Sequence, residues 1–234
     1  MTYKKQSYNY IYLVNIVYND GEKQVKTLQP PELYMKEFYY ARRDLVERMK
    51  TSPEKIDDLF KFAGPLLSPM VATYGPAGIN VAPFMLTFMV KEEYLFKAID
   101  RLKELNERLW GKGRAVYSAA ADFLLEWIYN PELSDPLTLS THLMSRGHTY
   151  INVRATGKAT IGILIPPDRG ALELRAVAEI YEEGSYFEFV NLLHDLMHAV
   201  PRGERSHPWY PSLIFRVEEI YDNSYQSLGK RIYP

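Results

Sequence analysis

The sequence contains no cysteine, which excludes disulfide bonds, thiolate zinc sites, cysteine-held iron–sulfur clusters and a cysteine nucleophile. Glutamine is scarce, with only Gln6, Gln24, Gln29 and Gln226. A shortage of thermolabile side chains beside many charged ones is typical of hyperthermophile proteins, and it predicts such a source. An excess of either charge is also absent. The 28 basic and 29 acidic residues leave a net charge of −1, which excludes bulk coating of DNA but not a local basic face.

The chain also lacks an apolar run long enough to cross a bilayer. The longest run, residues 79–90, has 12 residues and is interrupted by Asn80, Pro83 and Thr87, whereas a membrane span needs about 20 residues. The first residues, Met-Thr-Tyr-Lys-Lys, do not resemble a signal peptide. We therefore expect an intracellular protein without a membrane span, in the cytoplasm or, if a virus encodes it, in a virion, and not secreted by a signal peptide.

What the chain does contain is enough apolar material for a core. Its 234 residues are 47% hydrophobic and 24% charged, and 19 of them are tyrosine. This composition is typical of folded globular proteins and excludes global disorder. The length fits one large domain or two small ones.

The order of apolar and turn residues predicts mostly helices with two β-hairpins. Residues 8–18 and 23–28 flank Asn19-Asp20-Gly21 and predict the first hairpin. Residues 149–155 and 159–165 flank Thr156-Gly157 and predict the second. Helical spacing and capping residues predict helices at 31–50, 56–62, 91–110, 115–129, 137–145, 172–182, 185–200 and 212–228. The Gly- and Pro-rich residues 64–82 predict a long ordered connection, and residues 81–90 predict a buried strand or a short helix.

The two predicted hairpins begin the same succession of features: Pro-Pro and an acidic residue, a helix, a capping serine, and two further helices. Matching positions lie 133–136 residues apart, at Gly21 and Gly157, Pro31 and Pro167, and Ser52 and Ser185. We therefore predict a helix-dominant α+β fold in which two β-hairpins pack on helical layers, with an internal duplication. Its modules would be residues 1–112 and 113–234, related by a pseudo-twofold. A chance succession of common elements is the alternative.

His194 and His198 are the strongest candidates for chemistry. Residues four apart share a helix face, so both imidazoles could bind one metal ion. The segment His-Asp-Leu-Met-His resembles the zinc metalloprotease pattern, but Asp195 replaces the usual glutamate with a shorter base, which argues against protease activity. His207 is the candidate third ligand, of zinc or another divalent metal. The alternative is no cofactor and a histidine pair favoured by the dipole of a helix C-terminus.

Residues 192–196 also resemble, over about five positions, the His-Asp centre of the HD-type phosphohydrolases. The resemblance implies His148 and Asp222 as further metal ligands. That family is all-helical, whereas a hairpin is predicted here between His148 and His194, so its fold and activity are not carried over.

Two groups of residues are candidate contacts with nucleic acid or phosphate. Lys112 and Arg114 precede a predicted helix within a Gly-rich turn, where they could hold a phosphate, with a plain helix–helix turn as the alternative. Residues 1–50 interleave tyrosines with nine basic and six acidic side chains. This pattern is typical of a nucleic-acid surface or of a subunit interface. The candidates are Lys4, Lys5, Tyr10, Tyr12, Tyr39, Tyr40, Arg42 and Arg43.

No catalytic motif of a familiar enzyme is present in the sequence. The sequence therefore favours a non-catalytic structural protein that self-assembles, such as a capsid- or nucleoprotein-type subunit of a hyperthermophile mobile element. Its partners would be copies of itself and DNA or RNA. The alternatives are a metal-dependent hydrolase centred on His194, Asp195 and His198, and a nucleic-acid-binding regulator that uses Arg42 and Arg43.

Overall fold

The computed structural model describes residues 14–19, 22–27, 29–52, 64–165, 170–205 and 207–234. The first predicted hairpin is present: strand β1 (Val14–Asn19) pairs with strand β2 (Glu22–Thr27) in antiparallel register, as a sheet of its own. Three of the six residues of β1 are β-branched, Val14, Ile16 and Val17, and such residues favour strands.

A second, eight-stranded antiparallel sheet organises the rest of the described chain. Its strands are β3 (Met70–Gly75), β4 (Gly78–Pro83), β5 (Thr87–Val90), β6 (Ser134–His142), β7 (Lys158–Ile165), β8 (Gly170–Tyr181), β9 (Ser212–Asp222) and β10 (Lys230–Tyr233). They lie in the order β4-β3-β7-β8-β9-β6-β5, and β10 pairs with the end of β9 that β6 leaves free. The sheet thus takes strands from both sides of the module boundary predicted at residues 112 and 113.

Helices pack against this sheet and supply one wall of the core. Helix α1 begins at Glu32–Tyr34, has a π-helical stretch at Met35–Tyr40 and ends with Ala41–Thr51. The others are α2 (Leu95–Leu109), α3 (Val116–Phe123, then π-helical Leu124–Ile128), α4 (His148–Thr156) and α5 (Ser185–His194, then π-helical Asp195–Ala199 and Val200–Arg202). Within the described residues, none of the helices is long and apolar enough to cross a bilayer.

The prediction of a helix-dominant fold with two hairpins on helical layers is wrong, because the large antiparallel sheet is the central element. Three predicted helices, at 137–145, 172–182 and 212–228, are instead the strands β6, β8 and β9, the last with a turn after it. The predicted connection at 64–82 contains a helical turn at 64–67 and the hairpin β3–β4. The predicted helix at 56–62 lies outside the described residues.

The predicted duplication fails at its second hairpin. Residues 149–155, predicted as a strand, belong to helix α4, and Gly157 is the left-handed residue that ends this helix, with φ +63°. A glycine with positive φ serves both a tight hairpin turn and a helix C-terminus, so the Thr156-Gly157 signal does not distinguish them. Only β7 of the predicted pair is a strand, and it pairs with β8 and β3.

Helix α1 is fixed to distant strands by polar side chains on its buried face. Tyr34 donates a hydrogen bond to the carbonyl of Pro136, and the Tyr39 hydroxyl lies 2.7 Å from Ser134 Oγ. Both rings are fully buried, beside Phe38 and Phe88. These contacts fix the N-terminal half of α1 at the start of β6, and residues of its C-terminal half line one side of a cavity.

The turn between β3 and β4 is clamped by a single residue of α4. The Asn152 side chain accepts a hydrogen bond from the Ala77 amide (2.9 Å) and donates one to the carbonyl of Gly78 (2.8 Å). Gly75 approaches so closely that a Cβ there would lie 3.0 Å from the Asn152 Cα. This clamp sets the position of β4, the edge strand beside the same cavity.

Candidate functional site

All five histidines of the chain line one cavity, which we call the histidine pocket. It has a volume of about 750 Å³ and lies between α1, α5, β4 and the end of β6. His142 ends β6, and His194 and His198 lie one turn apart on α5. His148 begins α4, and His207 belongs to the segment that follows α5.

His194 lies at the centre of the histidine group. Its ring centre is 4.4 Å from that of His142, 4.6 Å from that of His198 and 5.4 Å from that of His207. The pair on α5 follows from the spacing of four residues. His142 reaches the group because β6 pairs with β9 and ends beside α5. The fold therefore concentrates imidazoles that the sequence distributes over more than sixty positions.

Burial keeps these imidazoles uncharged. It lowers the pKa of His194 to about 3 and that of His142 to about 4, and the neighbouring histidines lower both further by charge repulsion. Burial also lowers the pKa of His198, assisted by the positive charge of Arg202. Neutral imidazoles carry one donor and one acceptor nitrogen each, so at neutral pH they can accept a hydrogen bond or bind a metal centre.

One nitrogen of the group is without a partner. The Nε2 atom of His142 is buried and makes no hydrogen bond to any described residue. Leaving such a buried atom unsatisfied costs about 1–3 kcal/mol. A partner supplied by a bound molecule would remove this cost.

The predicted metal ligands are brought together, but not as a metal site. Within the described residues, no group of three or more His, Asp or Glu side chains is placed to hold a metal ion. The rings pack against one another: His142 meets His194 edge to face at 74°, and His207 stacks on Tyr210 with its Nδ1 at 2.9 Å from the carbonyl of Pro208. Asp222, the ligand implied by the phosphohydrolase resemblance, accepts a hydrogen bond from the Ser224 amide at the end of β9.

Asp195 is a structural anchor and not a base facing the pocket. Its side chain is 1% exposed, forms a buried ion pair with Arg205 and accepts a hydrogen bond of 2.8 Å from the Trp209 indole. The Arg205 guanidinium also lies over the Trp209 ring, at 5.2 Å. These contacts fix the segment after α5, which carries His207, against the helix that carries His194 and His198.

Arg42 places a buried positive charge in the pocket wall. Its guanidinium, 2% exposed as a residue, donates hydrogen bonds to Tyr129 and to the carbonyls of Leu66 and Leu86. The rings of Phe38 and Phe88 lie 5.2 and 5.4 Å from it. No carboxylate among the described residues forms an ion pair with it. Its charge is therefore not neutralised by that part of the chain.

The remaining lining residues are of two kinds, apolar and polar. Methionines are prominent among the apolar ones: Met49, Met85, Met144 and Met197. Hydroxyl and amide groups are prominent among the polar ones: Asn80, Ser140, Thr141, Ser145 and Thr149. Arg202 and Arg205 line the pocket together with Glu204. A large apolar cavity with a few converging polar groups is the usual form of a small-molecule site.

The residues predicted for nucleic-acid or interface contact are divided by the fold. Tyr39 and Arg42 are buried, so neither side chain presents a surface to a partner. Tyr40 is 39% exposed, and Arg43 forms an ion pair with Glu47. Lys4, Lys5, Tyr10 and Tyr12 lie outside the described residues. An interface role for Tyr40 and Arg43 stays a prediction.

The predicted phosphate contact lies on a turn that does not line the histidine pocket. Lys112 and Arg114 are exposed on the connection between α2 and α3, where Gly111 and Gly113 have φ values of +72° and +65°. The Gly111 amide donates to the carbonyl of Val200, so this turn packs against the end of α5. Phosphate binding there stays a prediction.

Sequence reasoning missed His142, Tyr129 and Arg202 as pocket residues. His142 was assigned to a helix, and its partner on β9, Ser212, lies 70 positions further along the chain. Arg42 was noticed, but as a surface cation. No local pattern in the sequence joins His142 and His148 to the other three histidines, and only the fold brings all five around one cavity.

Neither a family model nor a curated protein matches the chain. Solved structures similar to it include HupZ of Group A Streptococcus, at 18% identity over 76% of this chain and 97% of that one, with a TM-score of 0.42. A putative pyridoxamine 5'-phosphate oxidase from Lactobacillus delbrueckii matches at 15% identity, over 66% and 83%, with a TM-score of 0.37. An FMN-binding protein from Syntrophomonas wolfei matches at 16% identity, over 82% and 96%, with a TM-score of 0.37.

These findings correct the predicted function. The expectation of a capsid- or nucleoprotein-type subunit is wrong: the similar structures are named for an oxidase and for FMN binding, and the described chain encloses a ligand-sized cavity. The hydrolase alternative lacks a metal site within that part of the chain, and the regulator alternative relied on Arg42, which is buried. A hyperthermophile, archaeal or viral origin has no support in these comparisons.

Proposed function

We propose that the histidine pocket binds a planar, anionic molecule of cofactor size, and that this molecule is FMN. The observation that carries the proposal is Arg42, a buried cation in the pocket wall without an ion-pair partner among the described residues. A charge held in a low-dielectric wall is costly unless an opposite charge approaches it. The phosphate of FMN is such a charge, and charge-assisted hydrogen bonds to arginine are strong.

The size and lining of the pocket support the same ligand. Its volume of about 750 Å³ falls within the roughly 300–1,000 Å³ of ordinary small-molecule sites. The lining methionines offer apolar surface to a flat ring, and the lining hydroxyl and amide groups offer partners to its heteroatoms. Bound FMN would supply hydride or electron transfer, while this chain's residues would hold the ring and neutralise the phosphate.

A comparison of FMN with riboflavin tests the proposal, since the two differ only in the phosphate. We expect FMN to bind at least about 10-fold more tightly in fluorescence-quenching titrations, because only FMN carries a phosphate that can pair with Arg42. R42Q should weaken FMN binding by a similar factor and leave riboflavin binding unchanged, which also shows that the substituted chain is folded. R108Q is the matched control, because Arg108 lies on α2 and contacts Glu104. Equal affinity for the two flavins, or no binding of either, would contradict the proposal.

A second candidate ligand is haem, favoured by one specific observation: the unpartnered Nε2 atom of His142 amid neutral imidazoles. Neutral histidine is a common axial ligand of haem iron, and the arginines that line the pocket suit the propionates. Haem titration should then give a sharpened Soret band that H142A abolishes. H148A is the control, because His148 is exposed at the start of α4. Absence of a spectral change on titration would eliminate this candidate.

Self-association and an intracellular location belong to the same proposal. A cofactor-binding protein that works on soluble substrates needs no membrane segment, whether it self-associates or not. The mass of the purified chain in solution measures the first, and fractionation of cells that express it measures the second.

A further inference from the structure

The outer face of the sheet at its β4 edge is apolar and uncovered. Five large side chains on β3, β4 and β7 are exposed there: Met70 (45%), Tyr74 (70%), Ile79 (80%), Val81 (53%) and Leu164 (63%). The antiparallel registers place them side by side, with Ile79 opposite Tyr74 and Met70 opposite Gly162. We call this surface the β4 face. It is the reverse of the side on which Asn80 and Ala82 line the histidine pocket.

The β4 face contains a groove that the isolated chain does not explain. A cavity of about 330 Å³ runs over Gly162 between Met70 and Glu173. A Cβ on Gly162 would meet only the carbonyl of Met70, at the ordinary distance of 3.9 Å, and its φ is not positive. Glycine in a strand interior weakens the strand and often marks the close approach of another group. Neither the backbone nor the neighbours of Gly162 require it here.

We propose that a second copy of this chain packs on the β4 face, with apolar side chains such as Ile79 of one copy filling the groove over Gly162 of the other. The face carries both parts of a self-complementary contact, a projecting group and a recess, as a twofold interface requires. The centre of the β4 face has no charged side chain, so two copies can pack there without burying like charges. Glu173, at one end of the groove, is already paired with Arg175, so it brings no unbalanced charge to the contact.

The available area agrees with a dimer. A large side chain presents on the order of 200 Å² when fully exposed, so the five at their observed exposures offer on the order of 600 Å². A specific interface buries about 800 Å² on each partner. The small residues between them, including Ala72 and Thr160, supply part of the remainder. An uncovered apolar edge strand of this kind is otherwise an aggregation hazard.

The test is the mass of the untagged chain by light scattering over a concentration series. We expect about twice the 27.2 kDa of one chain. G162V should raise the dissociation constant of the dimer at least about 100-fold, while its thermal midpoint, measured where both proteins are monomeric, stays equal or rises because valine favours strands. I79K should have the same effect on mass. F96K is the matched control, because Phe96 is similarly exposed (71%) but lies on α2.

The outcomes separate clearly. A wild-type chain that stays monomeric at high micromolar concentration overturns the proposal, as does a dimer that G162V and I79K leave intact or that F96K dissociates equally. If the substituted chains do not fold, A72C gives an independent readout, since the chain has no cysteine of its own. Ala72 lies on β3 midway between Ile79 and Gly162, so the twofold axis of the proposed contact passes beside it and oxidation should link two copies there, whereas F96C should not link. Failure of A72C to link would also overturn the proposal.

Discussion

Asp195 shows how much a single buried carboxylate holds in place. It joins α5 to Arg205 and Trp209, and so fixes the wall that carries His207. Removing one partner of a buried ion pair leaves the other uncompensated and costs about 3–5 kcal/mol; because Arg205 is partly exposed, we expect D195A to lower the free energy of unfolding by about 3 kcal/mol. Denaturant unfolding measures this. D100A, at an exposed position of α2, is the control.

If D195A and D100A lose equal stability, the anchoring role assigned to Asp195 is incorrect. Flavin binding offers a second readout, because a displaced segment after α5 would also move His207. A loss of affinity without a loss of stability would assign Asp195 to the ligand and not to the fold.

The buried histidines predict a specific dependence of stability on pH. The folded-state pKa values of His142 and His194, about 4 and about 3, lie below the unfolded value of 6.5. At pH values between the folded-state and the unfolded-state pKa, the unfolded chain binds more protons than the folded one. The contribution of the two histidines to the free energy of unfolding is therefore full above about pH 6.5 and falls as the pH decreases. We expect the free energy of unfolding to drop by at least about 2 kcal/mol from about pH 7 to about pH 4.5 through these two groups.

Carboxylates titrate in the same range, so the measurement compares two proteins. The double substitution H142N/H194N should flatten the pH dependence of the unfolding free energy relative to the wild-type chain. Equal slopes in the two proteins would show that the imidazoles are not held neutral by the fold.

At the scale of elements, the clamp of α4 on the β3–β4 turn positions the edge strand. A Cβ at Gly75 would lie 3.0 Å from the Asn152 backbone, which cannot move without displacing α4. We expect G75A to cost about 1–3 kcal/mol of unfolding free energy, as overpacking does elsewhere. G64A is the matched control, because nothing lies within 4 Å of a Cβ there. Equal stabilities would show that α4 moves freely against β3.

How far elements follow from sequence depends on which contacts determine them. Helix α2 was predicted because Leu95, Ile99 and Leu102 fall on one helical face, and all three are buried. Strand β8 was predicted as a helix, and its Leu, Glu, Ala and Arg residues do favour helices. Its buried side chains alternate, at Leu172, Leu174, Ala176 and Ala178, a local strand signal that the helical interpretation missed. The pairing with β7 and β9 that overrides the helical propensity involves residues outside any local window.

The residues of the histidine pocket also divide into those that local sequence predicts and those that depend on distant contacts. His194 and His198 were found because their relation is local, within one turn of α5. His142 and the burial of Arg42 depend on β6 and α1 meeting across the fold, so they became visible only with the tertiary structure.

For the whole molecule, the strand order predicts where stability is concentrated. β8 lies at the centre of the sheet and pairs along its length with β7 and β9, whereas β4 and β5 end the order with one neighbour each. In native-state hydrogen exchange the slowest amides should therefore belong to β8, and those of β4 and β5 should exchange faster. Slow exchange confined to the helices, with rapid exchange in β8, would contradict this ranking.

The attachment of α1 has a consequence for biosynthesis. Its anchoring groups, Tyr34 and Tyr39, bind Pro136 and Ser134, 102 and 95 residues further along. A ribosome releases the chain from its N-terminus, so α1 leaves the exit tunnel long before its docking place exists. The apolar side of this segment stays exposed to solvent until β6 has been translated. That side carries Tyr34, Phe38 and Tyr39. During that interval the nascent chain exposes these three aromatic side chains to chaperones.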